Sequence, residues 1–379
     1  MRVMIVVTHL LGTGHLARAL VLARALQEAG EEVNVVSGGM PAPQLHLDGI
    51  PFVQLPPVRS DGVDFTRLMT ELNEIASDEF LERRSAFLVE TLEDFAPDVL
   101  ITELFPFGRR ILRAEFLALL TAARNSPAPP IICASVRDIL APPTKPKKAV
   151  FAKEILTEFY DAVLVHSDPD LMPLDLSWPV TEPVAKKLRY TGFVAPAAAP
   201  VGTDDLGEGE ILVSAGGGAV GTPLFECAVA AAQQRPGLNW RLLIGGHQGE
   251  DQAAALQKQA GPNLIAEPAR PEFRAMLHRA AASVSLCGYN TALDILQAGT
   301  PAIFIPFDAG SEVEQGIRAE ALAKQPAITQ IRAQDLTAEA LLAAIDRVRA
   351  DPPRAKMTRG LDGAHLTVEI LRELKAARS

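Results

Sequence analysis

Gly12, Gly14 and His15 stand where the apolar run MRVMIVV gives way to a helical pattern. Glycines at such a turn let the backbone approach a ligand closely, and a helix start offers unpaired N–H groups with partial positive charge. The guest this favours is an anion, above all a phosphate. A plainer role is equally open: the glycines make a tight turn, and His15 caps or packs at the helix start. Gly12-x-Gly14-x-x-Ala17 also matches the loose dinucleotide fingerprint. That fingerprint calls for an acidic residue at the end of the second strand, where VNVVSGG ends in Ser37-Gly38-Gly39 instead, so an NAD-type site is disfavoured.

The elements that must hold this turn are legible from periodicity. MRVMIVV is short, apolar and β-branched, as a parallel strand covered on both faces should be. From His15 onward Leu16, Ala19, Leu20, Ala23 and Leu26 fall at helical spacing, Arg18 and Arg24 lie on the other side, and Gly30 closes the helix. Further strand-like runs follow at 33–39, DVLITEL (98–104), PIICASV (130–136) and DAVLVHS (161–167). The Pro-, Ala- and Gly-rich stretch 194–210 has no apolar period and reads as a linker. The pattern then restarts at ILVSAGGGAVG (211–221), with a helix through FECAVAAAQQ and strands in NWRLLIGG, NLIAEP, SVSLCG and PAIFIPF. A β-strand, glycine loop and helix thus open each half. The expected architecture is α/β, with two facing Rossmann-like domains and a central cleft. The expected boundaries are 1–193 for the first domain, 194–209 for the linker, 210–356 for the second domain, and 357–379 for a C-terminal helix that packs back on the first.

Composition narrows the partners. The chain has 379 residues, 48% hydrophobic and 22% charged, which fits two full-sized cores and excludes extended disorder. A net charge of −10 argues against a general nucleic-acid binder. Cys133, Cys227 and Cys287 are far apart and sit in apolar patterns, as reduced core residues of a cytoplasmic protein would. The first apolar run is too short for a signal segment, and no later run approaches a membrane span. Asp168-Pro169-Asp170, after His166, imitates a metal-binding DxD motif, but the proline argues for a turn.

In open parallel sheets ligands bind beyond the carboxyl ends of the strands. In the second half those positions hold Gly216, Gly217 and Gly218, then Ala269 and Arg270, then Gly288, Tyr289, Asn290 and Thr291, then Asp308. Two glycine loops that each open a helix can hold a diphosphate by backbone N–H groups, so neither metal nor cofactor is expected. In the first half Glu103 and Arg109 follow one strand, and Arg137 and Asp138 follow the next. Each is either a ligand contact or a member of a structural ion pair. Lys145, Lys147, Lys148 and Lys153 beside apolar residues either dock an anionic membrane surface or form a solvated charged loop.

The stretch from Glu267 to Arg318, with SVSLCGYNTALDILQAGTPAIFIPF and the EVEQGIRAEAL helix, resembles the donor half of GT-B glycosyltransferases of family 28. GTGHLARALVLARAL resembles their first glycine loop and helix. ELFPFGRR and SVRDIL are similar to a bacterial group of predicted glycosyltransferases whose acceptor is not generally assigned. The resemblance implies inverting, metal-independent transfer of a hexose or N-acetylhexosamine from a UDP-sugar to an unidentified glycan, lipid-linked or small-molecule acceptor. Gly12 and Gly14 would leave room for the donor phosphates. Asp294, in the first turn of its helix, stands where relatives carry a ribose-binding glutamate. Glu314 and Gln315 would reach the sugar hydroxyls, and Arg318 would neutralise phosphate or pair with Glu314. Ala269 and Arg270 occupy the position where relatives read a uracil edge through backbone groups. His15 would be the general base, with Glu103 and Asp138 as rivals. A nucleotide-sugar hydrolase or epimerase, which shares the Gly14-His15-x-x-Arg18 start, and a non-catalytic nucleotide-sugar binding protein remain the alternatives.

Overall fold

The computed structural model describes residues 1–378 apart from 48, 63–66, 201–204, 216–220, 247–248 and 309–311. Contacts divide the chain into two units, Met1–Ala195 with Gly360–Ser379, and Pro196–Arg359.

The first unit is a seven-stranded sheet built from β1 (Arg2–Val7), β2 (Glu32–Ser37), β3 (Phe52–Gln54), β6 (Val99–Glu103), β7 (Ile131–Arg137), β8 (Ala162–His166) and β9 (Leu188–Tyr190). A separate antiparallel hairpin, β4 (Val58–Ser60) and β5 (Leu68–Thr70), lies between β3 and β6 in the chain. The spatial order is β3-β2-β1-β6-β7-β8-β9, with every neighbouring pair parallel. The helices are α1 (Gly14–Glu28), α2 (Asp78–Phe95), α3 (Arg113–Asn125), α4 (Pro146–Phe159) and the short α5 (Glu182–Ala185). β1 is apolar throughout because both its faces are covered: Val3, Ile5 and Val7 enter one core, Met4 and Val6 the other.

In the second unit β10 (Ile211–Ser214), β11 (Trp240–Ile244), β12 (Leu264–Pro268), β13 (Ala282–Ser285), β14 (Ala302–Phe304) and β15 (Ile328–Gln330) form a parallel sheet in the order β12-β11-β10-β13-β14-β15. Its helices are α6 (Thr222–Gln234), α7 (Gly249–Gln257), α8 (Phe273–Leu277), α9 (Tyr289–Ala298), α10 (Glu314–Leu322) and α11 (Ala338–Ala350). The last helix, α12 (Gly363–Arg378), packs on α1 in the first unit, where Arg372 donates to Glu31 and to the Ala29 carbonyl. Both sheets are doubly wound. The strand order reverses between β1 and β6 in one and between β10 and β13 in the other, which marks the two places where the loops part to admit a ligand.

Sequence periodicity contains no sign of β3, β9, β15 or the hairpin, because these three-residue strands, unlike β14 in PAIFIPF, do not sit in a longer apolar run. The stretch read as a linker is bonded to the second unit: Arg274 donates to the Ala197 carbonyl at 2.7 Å, Gln297 to the Pro196 carbonyl at 3.0 Å. The lysine stretch is not a loop. Lys145 caps α4, Lys147, Lys148 and Lys153 lie on it, and Val150 between them is half exposed.

Beneath the β2 end lies Arg84, a fully buried arginine on α2. It holds the Glu115 carboxylate with two N–H groups, at 2.6 and 3.2 Å, and donates to the carbonyls of Gly38 and Pro56 and to the Thr8 hydroxyl. A Cβ on Gly38 would fall 1.9 Å from the Arg84 guanidinium. Gly38 is therefore required by a buried cation, and Gly39 by His9, whose carbonyl a Cβ would approach to 2.4 Å, whatever ligand is bound.

Candidate active site

The opening turn places His15 as the second residue of α1, over the carboxyl end of β1. At the switch point the neighbouring strand is β6, whose last residue is Glu103. His15 Nδ1 and Glu103 Oε1 lie 2.9 Å apart. Arg18, one turn along α1, donates to the same carboxylate oxygen. Arg18 does not share the polar side of α1 with Arg24: it is 7% exposed and turned inward, because Glu103 neutralises its charge there. The other Glu103 oxygen accepts from the Ser135 hydroxyl at 2.5 Å. Ser135 Oγ lies 3.0 Å from His166 Nε2, and His166 Nδ1 lies 2.8 Å from Thr191 Oγ1.

Burial governs the charges. It pushes the His15 pKa down to about 3, with the Arg109 and Arg18 charges assisting and the Glu103 bond opposing. Burial by itself would raise Glu103, but the Arg18 charge and the bonds from His15 and Ser135 hold its carboxyl well below the usual range. His166 is likewise lowered by burial to about 3. The site is thus an ionised carboxylate facing a neutral imidazole. A carboxylate only accepts, and the Arg18 group that stands 3.3 Å from His15 Nδ1 gives its hydrogen to Glu103, so the shorter 2.9 Å contact makes Nδ1 the carrier of the ring hydrogen and Nε2 keeps its lone pair.

These shifts predict a pH effect on stability. Between pH 6.5 and about 4.5 the unfolded chain takes up protons on His15 and His166 that the folded chain refuses until about 3, so stability falls as pH falls through this window. Urea midpoints measured at pH 7, 6 and 5 should decrease steadily, and less steeply in His166→Gln. A midpoint that holds constant from pH 7 to 5 would contradict the buried neutral histidines.

Arg109 takes a left-handed backbone (φ 58°), donates to the Thr8 carbonyl and is lowered by burial to about 10, which leaves it charged. Its field reaches both His15 and the buried His9. Asp138 is 1% exposed in the turn after β7, and Arg137 donates to the Ile139 carbonyl. A Cβ at Gly12 or Gly14 would meet nothing within 4 Å, and neither has a left-handed backbone. No packing demand accounts for glycine at these positions.

In the second unit Gly216, Gly217 and Gly218 lie outside the described residues. Gly288 caps α9, and Tyr289, Asn290 and Thr291 form the first turn of that helix. Gln315 Oε1 accepts from the backbone N–H groups of Cys287 at 3.0 Å and Phe307 at 3.2 Å, tying together the loops that follow β13 and β14. Arg318, 2% exposed, donates to the Cys287 carbonyl at 2.8 Å and stands 6.0 Å from the Tyr289 ring centre. These two side chains brace the turn that opens α9. Glu312, which sequence reasoning passed over, accepts from the Glu314 N–H at 2.8 Å at the start of α10. Asp294 is the sixth residue of α9, in its second turn rather than its first. It accepts from Arg274 at 2.7 Å, and burial raises its pKa against that pairing. The Ala269 N–H is engaged by the Ile244 carbonyl at 2.8 Å, and Arg270 pairs with Glu267 at 3.0 Å. Asp308 is exposed after β14. The Asp168-Pro169-Asp170 stretch is a turn in which the Asp170 N–H donates to Asp168.

Residues 215–366 match the glycosyltransferase family 28 C-terminal domain. A UDP-N-acetylglucosamine–N-acetylmuramyl-(pentapeptide) pyrophosphoryl-undecaprenol N-acetylglucosamine transferase of Bacillus licheniformis is 28% identical over 181 residues, 45% of this chain and 50% of that protein. The chain thus matches about half the length of this curated relative. Among solved structures, the calicheamicin glycosyltransferase CalG4 aligns with a TM-score of 0.66 at 17% identity, over 99% of this chain and 98% of that one. MurG of Acinetobacter baumannii aligns with a TM-score of 0.66 at 16% identity, over 98% and 99%. At these identities the likeness establishes the fold, which is that of the GT-B glycosyltransferases. Among the described residues no group of three or more His, Cys, Asp or Glu is arranged to hold a metal, and no helix is long and apolar enough to cross a membrane.

The residues missed by sequence reasoning as site members are Arg18, Ser135, His166 and Thr191. A signal for three of the site positions was present: a polar residue breaks the apolar run at or near the carboxyl end of each strand, Glu103 and His166 as the last residues of β6 and β8 and Ser135 two before the end of β7.

Proposed function

We propose that the protein is an inverting glycosyltransferase that moves a hexose or N-acetylhexosamine from a UDP-sugar to an acceptor hydroxyl. UDP-N-acetylglucosamine is the first donor to test, because the curated relative's name specifies it. The observation that carries the reading is the His15–Glu103 contact of 2.9 Å at the switch point of the first sheet. Glu103 accepts the Nδ1 hydrogen and leaves His15 Nε2 as a base. As the acceptor oxygen attacks the anomeric carbon, its proton passes to Nε2, the carbon–oxygen bond to UDP breaks, and UDP departs with the electron pair, which inverts the anomeric centre. The imidazolium formed is stabilised by the carboxylate beside it, in surroundings too dry to screen that attraction.

In the second unit the start of α9 supplies backbone N–H groups for the diphosphate, held in place by Gln315 and Arg318. Asp294, Glu314, Asp308, Ala269 and Arg270 are assigned by the same reading to the ribose, sugar and base side. Backbone and arginine contacts can hold a diphosphate without a divalent cation, so EDTA should leave the rate unchanged. Open space at Gly12 and Gly14 fits a donor phosphate passing close to the chain. The lysines of α4 with exposed Val150 fit peripheral contact with an anionic membrane surface.

UDP release is to be followed with UDP-N-acetylglucosamine and a panel of glycan, lipid-linked and small-molecule acceptors, with the product's anomeric configuration read by NMR. Acceptor-dependent release with inversion supports the reading. Free sugar formed at the same rate without acceptor would assign a hydrolase, and a change of configuration at C2 an epimerase. Binding has its own check: UDP at a hundredfold excess over its Kd should stabilise the fold by about 2.7 kcal/mol, and NAD should not. A larger melting shift with NAD would overturn the donor assignment.

A further inference from the structure

The His166 imidazole is buried, titratable and not needed for proton transfer in the mechanism above. It is the second member of a line of five that crosses the sheet strand by strand. Thr191 follows β9, His166 ends β8, Ser135 lies in β7, Glu103 ends β6 and His15 follows β1. The four members other than His15 are each no more than 2% exposed. Adjacent members are 2.8, 3.0, 2.5 and 2.9 Å apart.

Hydrogen counting gives this line a direction. An ionised carboxylate only accepts, so the Ser135 hydroxyl donates to Glu103 and has only lone pairs left for His166. His166 Nε2 therefore carries the ring's hydrogen and donates to Ser135. In the neutral ring Nδ1 is then an acceptor, and the Thr191 hydroxyl, which also lies 2.7 Å from the Gly192 carbonyl, is shared between the two. From His166 inward every hydrogen in the line points toward Glu103. From the other side His15 and Arg18 converge on the same carboxylate. A carboxylate so surrounded has one rotamer and one charge state, and through it His15 has one tautomer.

We propose that Ser135 and His166 are positioning residues for the His15 base: by donating along this line they fix the Glu103 carboxylate, which fixes the Nδ1–H tautomer of His15 and turns its Nε2 lone pair to the acceptor. A merely structural role would need only that the buried groups be paired somehow. The positioning role needs the hydrogens to run this way. The proposal rests on His15 being the base, and its test contains a readout that does not depend on turnover.

That readout is nitrogen-15 NMR of the full-length protein, with the His15 signal assigned by its loss in His15→Gln. In the wild type the long-range proton–nitrogen pattern should show His15 as a single Nδ1–H tautomer. In Ser135→Ala, and in His166→Leu, the pattern should become a tautomer mixture, and kcat should fall at least tenfold with the donor KM unchanged. His166→Gln keeps an N–H donor for Ser135 and should restore both the single tautomer and most of the rate. Should Ser135→Ala fail to fold, the comparison of His166→Leu with His166→Gln carries the same test. An unchanged His15 tautomer in folded Ser135→Ala or His166→Leu overturns the positioning role, even where transfer slows. A wild-type protein with no transfer activity but the expected tautomer changes would overturn the base reading and leave the line intact.

Discussion

Replacing His15 by alanine should cut acceptor-dependent turnover by about 10² to 10⁴, the range typical of a lost general base, and leave the melting shift produced by UDP nearly unchanged. The separation follows from placement: the His15 side chain stands on α1 of the first unit, whereas the α9 start assigned to the diphosphate and the groups assigned to the ribose and base lie in the second, and the Gly12 and Gly14 backbone keeps its place when His15 is shortened. The pH profile should bear the mark of burial. A free imidazole loses its basic form below pH 6.5, but His15 remains neutral down to about 3, so kcat/KM should stay level from pH 8 to 5. The low proton affinity also makes the ring a weak base until Glu103 stabilises the forming imidazolium. Glu103→Gln should therefore slow transfer nearly as much as His15→Ala. A His15→Ala enzyme with full activity would transfer the base role to Glu103 or Asp138, and an acid limb near pH 6.5 would show that the ring is better solvated than its surroundings imply.

The largest single loss of stability should come from Arg84→Leu, at about 3–5 kcal/mol, because it leaves the Glu115 carboxylate buried without its cation. The carbonyls of Gly38 and Pro56 and the Thr8 hydroxyl would each lose a donor as well. Urea unfolding should show a lower midpoint with an unchanged slope, since the surface exposed on unfolding stays the same. The double variant Arg84→Leu with Glu115→Leu should recover a large part of the loss, because no lone charge then remains buried. A loss below about 1 kcal/mol for Arg84→Leu would show that water or a rearranged side chain satisfies Glu115, so the network would then add little.

The sequence by itself determined whatever depends on local order and period. β1 reads as a doubly covered strand because Val3, Ile5 and Val7 alternate with Met4 and Val6 and both sets are apolar. The helical spacing from His15 to Leu26, and the matching opening after residue 211, gave two β/α modules. The carboxyl-end rule then put His15 and Glu103 at the ends of β1 and β6, where the fold has them. Tertiary structure alone decided which polar residues meet. Residue 103 stands beside residue 15 because the crossover after α2 sets β6 against β1, a pairing that no local pattern encodes. The same placement explains Arg18: by helical period it belongs with the solvated residues, but a buried carboxylate one turn from His15 makes the inward position favourable. Asp294, Gln315 and Arg318 show the converse. The family resemblance implied ligand contacts for them, and within the fold Arg274, the Cys287 and Phe307 amides and the Cys287 carbonyl engage them, which no local pattern announces. Charge state was also a tertiary property, since the imidazole of His15 is neutral far below its solution range only because the packed sheet and helix around it exclude the water that would solvate its cation.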